Sequence, residues 1–200
     1  KAKLDKTAKE VSVSFDSDFS SGHLIMMATD LDKATVLRPV FFNKAKETKI
    51  LISTADELVA FAQNVNAQDG TENMDIYLEK DIDISSIKDW TPIGNGTFSG
   101  TAVSGAAFKG TFHGQNHTIK GMNITVPADA AKGASYGLFG VLDGATVKDL
   151  DIGEGSSITS SAKLLTCGGA IAGSVVNSTV DHCTSSASFD ISGGTDNISQ

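Results

Sequence analysis

Five aspartates are the side chains of this sequence best suited to acid–base chemistry on a sugar: Asp81, Asp83, Asp149, Asp151 and Asp181. Asp81 and Asp83 share the outward face of one predicted strand, as do Asp149 and Asp151 on another. Glycosidic hydrolysis needs two carboxyl groups about 5–10 Å apart across one cleft. The alternatives are solvated carboxylates that keep strand edges soluble and a weak cation site, for which calcium is the fitting ion. No cofactor is predicted beyond that calcium alternative.

No zinc-protease motif HExxH is formed by the four histidines, which are His23, His113, His117 and His182. His113 and His117 are four positions apart, but they flank a predicted turn at residues 114–116. They are therefore interpreted as turn and surface residues, with a metal pair as the alternative. No nucleophile elbow of a serine hydrolase is predicted. Whether the chain is an enzyme stays open, and the residues favour a non-catalytic protein.

The composition excludes two classes of protein. The net charge is −8 and Arg38 is the single arginine, whereas a nucleic-acid binder needs a basic surface with bidentate arginines. No apolar run approaches the roughly 18 residues that a membrane-spanning helix requires. The chain begins Lys-Ala-Lys-Leu-Asp without an initiating Met, so we expect a processed or trimmed piece of a longer, exported polypeptide.

The segment 137–152 recurs along the chain. Residues 170–173 and 178–183 match it at an offset of 33. A fainter upstream copy, residues 117–124, matches its second half, residues 145–152, at an offset of 28. Self-similarity at a period of roughly 20–50 residues is typical of stacked repeats, which bury their apolar side chains only against their neighbours.

The repeated units have the pattern of strands rather than helices. Leu150 and Ile152 alternate with polar residues, as do Met122 and Ile124, and the segments are short. Twenty glycines suit the tight corners between short strands. We therefore predict an all-β fold, a right-handed parallel β-helix, with about four or five coils from about Asp75 to the end.

Residues 1–49 differ from the rest and are predicted to be a β-rich leader, or the tail of a preceding domain. They contain three strand candidates, at residues 11–15, 23–27 and 35–42. The lysine-rich stretch 43–49 is the predicted boundary, so the parallel β-helix is expected to occupy residues 50–200.

A helix is predicted at about residues 53–66. Ser53 or Thr54 can cap it, and Asp56 or Glu57 three residues on can complete a capping box. The apolar residues that follow have helical spacing: Leu58, Val59, Phe61, Ala62 and Val65. The open end of a β-helix exposes its core. We therefore expect this amphipathic helix to cap the N-terminal end, with a partner-binding helix as the alternative.

The two cysteines, Cys167 and Cys183, fit no metal-binding spacing. In the repeat alignment Cys183 takes the inward place of Leu150, which indicates a buried thiol acting as a small apolar side chain. A disulfide between the two cysteines is the alternative in an exported protein.

Several motifs in a fixed order resemble the GLUG-motif surface proteins of gut Bacteroidetes, in the pectin-lyase-like β-helix superfamily. They are Ile52-Ser53-Thr54-Ala55-Asp56-Glu57-Leu58, Leu78 to Asp83, Trp90-Thr91-Pro92-Ile93-Gly94, Phe108-Lys109-Gly110-Thr111-Phe112 and Gly137-Leu138-Phe139-Gly140. The resemblance covers about residues 50–190. Related repeats occur outside the protease unit of some bacterial immunoglobulin A peptidases. One departure is His113, which stands where the family has an aspartate.

The resemblance implies a fold more firmly than an activity. Lyases of this superfamily use Asp-bound calcium and an Arg or Lys base, and no arginine follows Arg38. Asp149 aligns with His182 and Asp151 with Thr184, so no carboxylate ladder is expected through consecutive coils.

We expect a non-catalytic, adhesin-like scaffold at the cell surface or outside the cell, exported by a signal peptide that this chain lacks. Its expected partner is a host or dietary glycan or a protein. The ligand-binding candidates are Trp90, Tyr136, Asp81 and Asp83, although packing beneath the helix is an alternative role for Trp90. The other functions considered are a fragment of a carbohydrate-active β-helix enzyme and a purely structural spacer.

Overall fold

The computed structural model describes residues 2–4, 11–13, 21–29, 35–43, 48–67, 71–72, 74–100, 102–164 and 166–192, with side chains from residue 49 onward. The protein is mostly β-structure with one helix. Its elements, in chain order, are β1 (Ala2–Leu4), β2 (Val11–Val13), β3 (Ser21–Thr29), β4 (Thr35–Asn43), β5 (Thr48–Ile52), α1 (Ala55–Ala67), β6 (Met74–Leu78), β7 (Ile82–Asp83), β8 (Thr97–Phe98), β9 (Val103–Ser104), β10 (Thr111–Lys120), β11 (Asn123–Val126), β12 (Ser135–Tyr136), β13 (Phe139–Asp143), β14 (Thr146–Ile152), β15 (Ser157–Ser160), β16 (Cys167–Gly168), β17 (Ala172–Val176), β18 (Thr179–Asp181), β19 (Thr184–Ser185) and β20 (Ser188–Ile191).

The first four strands form two antiparallel pairs. β1 pairs with β2, and β3 pairs with β4 along their whole length. Strands therefore lie at each of the three candidate segments, while Ser14, Phe15 and residues 44–47 are outside the described residues. The division of the chain near residue 49 stays a prediction.

From β5 onward the strands that stack on one another are parallel and form a β-solenoid of about three turns. The largest sheet has the order β18–β14–β10–β6–β5, the second has the order β11–β15–β20, and β13–β17 and β12–β16 complete the circuit. The parallel β-helix character is confirmed. The expected four or five coils are too many, because every turn is long: the pairs Asp75–Thr111, Thr111–Thr146 and Thr146–Thr179 are 36, 35 and 33 residues apart.

The 33-residue offset of the sequence repeat equals the register between the stacked strands β13 and β17 and between β14 and β18. Phe139 pairs with Ala172, and Thr146 pairs with Thr179. The upstream offset of 28 is wrong, because Ile119 pairs with Ile152. Residues 117–124 run from β10 across a corner into β11, and only the β10 part pairs with β14. The spacing of the apolar residues does not show where that corner falls.

Apolar columns fill the interior of the solenoid. Ile119 lies between Ile82 and Ile152 on neighbouring strands, and all three side chains are buried. Nearer α1, the ring of Phe139 contacts those of Phe108 and Phe112, with centroids 5.4 and 5.3 Å apart. Each turn thus buries the apolar surface of the next, as the repeat pattern predicts.

Helix α1 begins with the predicted capping box. The Thr54 Oγ1 accepts from the Glu57 N–H at 3.2 Å, and the Glu57 carboxylate accepts from the Thr54 N–H at 3.1 Å. The buried face comprises Leu58, Ala60, Phe61, Ala62 and Val65. The Phe61 ring lies 5.8 Å from that of Phe108, so the helix packs directly on the solenoid core.

Removing the Thr54 hydroxyl in Thr54→Ala should lower the free energy of unfolding by about 1 kcal/mol, since one N-terminal helix N–H loses its acceptor. Urea denaturation followed by circular dichroism measures this change. Thr54→Ser keeps the hydroxyl and should retain most of the stability. Equal losses in the two variants would contradict a capping role for the hydroxyl.

Candidate functional site

A cleft of about 270 Å³ opens at the side of the solenoid between the segment after β7 and the strands β11 and β12. Its apolar wall is formed by Trp90, Pro92, Ile124, Pro127, Ala134 and Tyr136. Its polar groups come from Asp89, Thr91, Asn95, Thr125 and Ser135. The sequence candidates Trp90 and Tyr136 thus line the same cleft, although they are far apart in the chain.

Trp90 forms the rigid floor of the cleft. Its backbone N–H donates to the Asn123 carbonyl at 2.7 Å, and its indole Nε1–H donates to the Leu138 carbonyl at 3.1 Å. The residue is only 3% exposed. Trp90 therefore packs within the core and supports the cleft rather than presenting an open ring face.

Asn66, in the last turn of α1, holds the loop that forms one wall. Its amide Nδ2 donates to the Pro92 carbonyl at 2.9 Å, and its Oδ1 accepts from the N–H groups of Gly94 and Asn95 at 2.8 and 3.0 Å. Sequence reasoning missed this positioning residue. The sequence signal for this role is an asparagine at the end of the predicted helix, with the Trp-Thr-Pro-Ile-Gly segment further along the chain.

Tyr136 is half-buried at the end of β12, which pairs with β16. Burial raises the pKa of its phenol, and the nearby carboxylates of Asp89 and Asp129 raise that pKa further. Asp89 is fixed by the Thr125 N–H, which donates to its Oδ1 at 2.9 Å. Two carboxylates, those of Asp89 and Asp129, thus lie near the phenol of Tyr136.

Asp81 and Asp83 do not belong to this cleft, because they project from the largest sheet. Asp81 Oδ1 accepts from the Thr118 N–H at 3.0 Å and lies 3.2 Å from His117 Nδ1. The Thr118 hydrogen bond and then the His117 contact lower the pKa of Asp81. The carboxylate thus joins β10 to the preceding turn, and a ligand-binding role for Asp81 and Asp83 stays a prediction.

Asp83 makes a similar cross-strand contact. Its Oδ1 accepts from the Ser85 N–H at 3.0 Å, and its Oδ2 lies 3.3 Å from Lys120 Nζ. The Ser85 hydrogen bonds and then Lys120 lower the pKa of Asp83 from 3.8 to about 2.

The Asp83 contacts should produce a pH-dependent stability difference between the wild type and Asp83→Asn. Because the folded-state pKa is depressed, the stabilisation is present above the ordinary pKa near 3.8 and is lost as the pH falls to about 2. Thermal unfolding between pH 7 and 2 should show the two Tm values converging in that window. A carboxyl titration by NMR with a midpoint near 4 for Asp83 would contradict the contacts.

Asp149 and Asp151, the second pair of candidate aspartates, lie in different local environments. Asp151 accepts from the Thr184 hydroxyl at 2.7 Å and the Thr118 hydroxyl at 3.3 Å, so threonines flank it on both neighbouring strands. Asp149 and its repeat partner His182 both have positive φ, of 53° and 48°. The alignment of these two residues is confirmed, and both form a left-handed corner of a kind that Asp and His tolerate.

His113 and His117 contact different carboxylates. His113 Nε2 lies 3.4 Å from Asp75 Oδ1, and its ring stacks on Tyr77 with centroids 4.1 Å apart. Lys49 Nζ lies 4.4 Å from the centroid of the same Tyr77 ring. Within the described ranges, no three His, Cys, Asp or Glu side chains gather closely enough to hold a metal ion.

The expectation that no serine-hydrolase motif occurs needs a correction, since Gly133-Ala134-Ser135-Tyr136-Gly137 has the spacing Gly-x-Ser-x-Gly. The Ser135 hydroxyl is 2.8 Å from the Ser174 hydroxyl and donates to the Gly133 carbonyl at 3.3 Å. Ser135 is 3% exposed and lies on a solenoid strand, whereas a nucleophile elbow exposes its serine between a strand and a helix. The motif is therefore structural here.

Cys167 and Cys183 are both half-buried free thiols. Burial raises the pKa of the Cys183 thiol, and its Sγ donates to the Asp181 carbonyl at 3.3 Å. A raised pKa disfavours the nucleophilic thiolate. Cys183 packs against the core, as its alignment with Leu150 predicts.

The chain matches no protein-family model, no curated protein and no solved structure.

In the part of the chain that the structure describes, no helix is long and apolar enough to cross a membrane.

Proposed function

We propose that this protein is a non-catalytic, adhesin-like scaffold of a bacterial surface, of the GLUG-motif type, which binds a host or dietary glycan in the cleft between Trp90 and Tyr136. The observation that carries the proposal is the composition of that cleft. The ring of Tyr136 and the prolines Pro92 and Pro127 line the cleft together with a carboxylate, an amide and hydroxyl groups. Sugars present both an apolar ring face and a rim of hydroxyls, and a wall of this mixed character can contact both.

The support of the cleft also favours binding. Trp90 is immobilised by two hydrogen bonds, and Asn66 holds the loop at Pro92, Gly94 and Asn95. A wall that is rigid before binding loses little conformational entropy when a ligand enters. The cleft therefore has the preorganisation that a binding site needs.

The outward carboxylates favour binding over hydrolysis. Asp151 is hydrogen-bonded to threonines on both sides, and Asp81 and Asp83 are engaged by β10 residues. Hydrolysis needs an acid and a second carboxylate facing one substrate-filled gap. Among the described residues that line the cleft, Asp89 alone carries a carboxyl group.

The proposal includes right-handed winding and a capping role for α1. The helix connects the parallel strands β5 and β6, and such crossover connections are right-handed in about 98% of proteins. The buried face of α1 packs through Phe61 on Phe108, which belongs to the first turn. A helix in this position covers apolar surface that an open solenoid end would expose.

A glycan array probed with the purified protein, with and without calcium, tests the proposal. Reproducible binding to one glycan class is expected, and Tyr136→Ala should weaken it about tenfold or more, because the aromatic wall is lost. Tyr77→Ala is the matched control, since Tyr77 lies on the sheet that carries His113 and not in the cleft.

A blank array with protein that circular dichroism shows to be folded would overturn glycan binding and favour a structural spacer. Equal loss of binding in Tyr136→Ala and Tyr77→Ala would show that the cleft is not the site. Binding that requires calcium would show that a cation takes part, as the calcium alternative predicts.

A further inference from the structure

We propose that the cleft between Trp90 and Tyr136 accepts a single uncharged pyranose ring at the end of a glycan and excludes uronic and sialic acid residues. This inference rests on the proposed glycan-binding function and goes further by naming the class of sugar. Three properties of the cleft carry it: its size, its polar groups and the sign of its charge.

The size limits the ligand to about one ring. The cleft has a volume of about 270 Å³, at or below the roughly 300–1,000 Å³ of sites that enclose drug-sized ligands. The loop at Pro92, held by Asn66, closes one side, and the segment around Pro127 forms part of the wall. A volume of this size suits one ring, so we expect the rest of a sugar chain to lie outside the cleft.

The polar groups suit hydroxyls. A carboxylate accepts at both oxygens, and the Thr125 N–H occupies one acceptor position on Asp89 Oδ1. The amide side chain of Asn95 can donate and accept, and it lines the same cleft. Tyr136 adds a phenolic hydroxyl and a ring face. These groups can form hydrogen bonds with the hydroxyls of a neutral sugar, which needs no positively charged side chain for binding.

The charge excludes acidic sugars. Asp89 lines the cleft, and no Lys, Arg or His is found among the described residues that line it with Asp89. Asp129 adds a second carboxylate close enough to disfavour negative charge on Tyr136. A ligand carboxylate entering this cleft would lose its hydration shell without gaining a positively charged side chain as a partner. The Asp89 carboxylate would also repel it.

Matched pairs of methyl glycosides provide the test, because the members of a pair differ only at C6. The neutral ligands are the methyl glycosides of glucose, galactose and mannose. Their acidic partners are the methyl glycosides of the corresponding uronic acids, with a free carboxylate. Binding of each ligand is titrated by NMR at neutral pH and low salt. We expect at least one neutral glycoside to bind, with its uronide bound about tenfold more weakly or worse. Asp89→Asn should reduce that ratio to about threefold or less, since the amide keeps the acceptor for the Thr125 N–H and removes the charge.

Glu154→Gln removes the same charge from an exposed side chain outside the cleft and should leave the ratio unchanged. A uronide that binds as well as its neutral partner, or an unchanged ratio in Asp89→Asn, would overturn the exclusion of acids. Glycan-array binding without measurable binding of any monosaccharide would overturn the single-ring site and leave the proposed function in place. Failure of both the array and the titrations would overturn the proposed function itself.

Discussion

Replacing Phe139 with alanine is expected to lower the free energy of unfolding by about 3–5 kcal/mol. Phe139 is 0% exposed, and its ring contacts those of Phe108 and Phe112. Truncation removes the apolar transfer energy of the ring and leaves a cavity between two turns of the solenoid, which their stacked strands cannot close. Urea denaturation at neutral pH, monitored by circular dichroism, measures the loss.

Phe189→Ala is the matched control for this truncation. Phe189 lies on β20 in the last described turn and is 49% exposed, so the same chemical change should cost less than about 1 kcal/mol. If Phe139→Ala does not fold, Phe139→Leu should still be destabilised while leaving a smaller cavity. Similar losses at Phe139 and Phe189 would contradict the arrangement of the core.

Replacing Gly140 with alanine should cost about 2–3 kcal/mol, because the position has no room for a Cβ atom. An added Cβ would lie 2.4 Å from the Gly94 carbonyl oxygen and 2.9 Å from the Ser135 carbonyl oxygen. Both contacts are with backbone atoms of neighbouring segments, so relief would require the strands themselves to move. The second glycine of the Gly-Leu-Phe-Gly motif is thus explained by the close approach of β13 to Gly94 at the end of the Trp-Thr-Pro-Ile-Gly segment.

Gly168→Ala is the control for this close approach, since a Cβ at Gly168 would meet nothing within 4 Å. Its free energy of unfolding should change by less than about 0.5 kcal/mol. The comparison uses chemical denaturation of both variants under the same conditions. Equal stability of Gly140→Ala and the wild type would show that the turn at Gly94 can move aside.

The strand alternation and the 33-residue repeat were sufficient to predict a parallel β-helix. Residues one turn apart, such as Thr146 and Thr179, occupy equivalent positions on stacked strands, which favours similar residue types. The capping box of Thr54 and Glu57 was equally accessible, because its geometry is local. By contrast, the offset between the earlier turns was assigned wrongly. At the bulge after His113 the register of β10 on β14 changes, and alternating apolar residues do not record such a change.

The candidate site was predicted only in part. Trp90 and Tyr136 are aromatic residues with a polar group, and nothing in their spacing shows that they share a cleft. The sequence does not single out Asp89 and Asn66, because an aspartate and a helical asparagine are common surface residues until their partners are known. The spacing of Asp81 and Asp83 indicates a shared face, and the structure places both in contacts with β10.

By itself the sequence determined the parallel β-strand character, the 33-residue period of the later turns and the helix start, because these depend on neighbouring residues or on similar repeats. Only the tertiary structure decided the cleft, since its walls come from segments of different turns and its loop is anchored by Asn66 at the end of α1. Which side chains meet there depends on the register and on the lengths of the loops between the strands. Neither quantity is encoded in any single stretch of the chain.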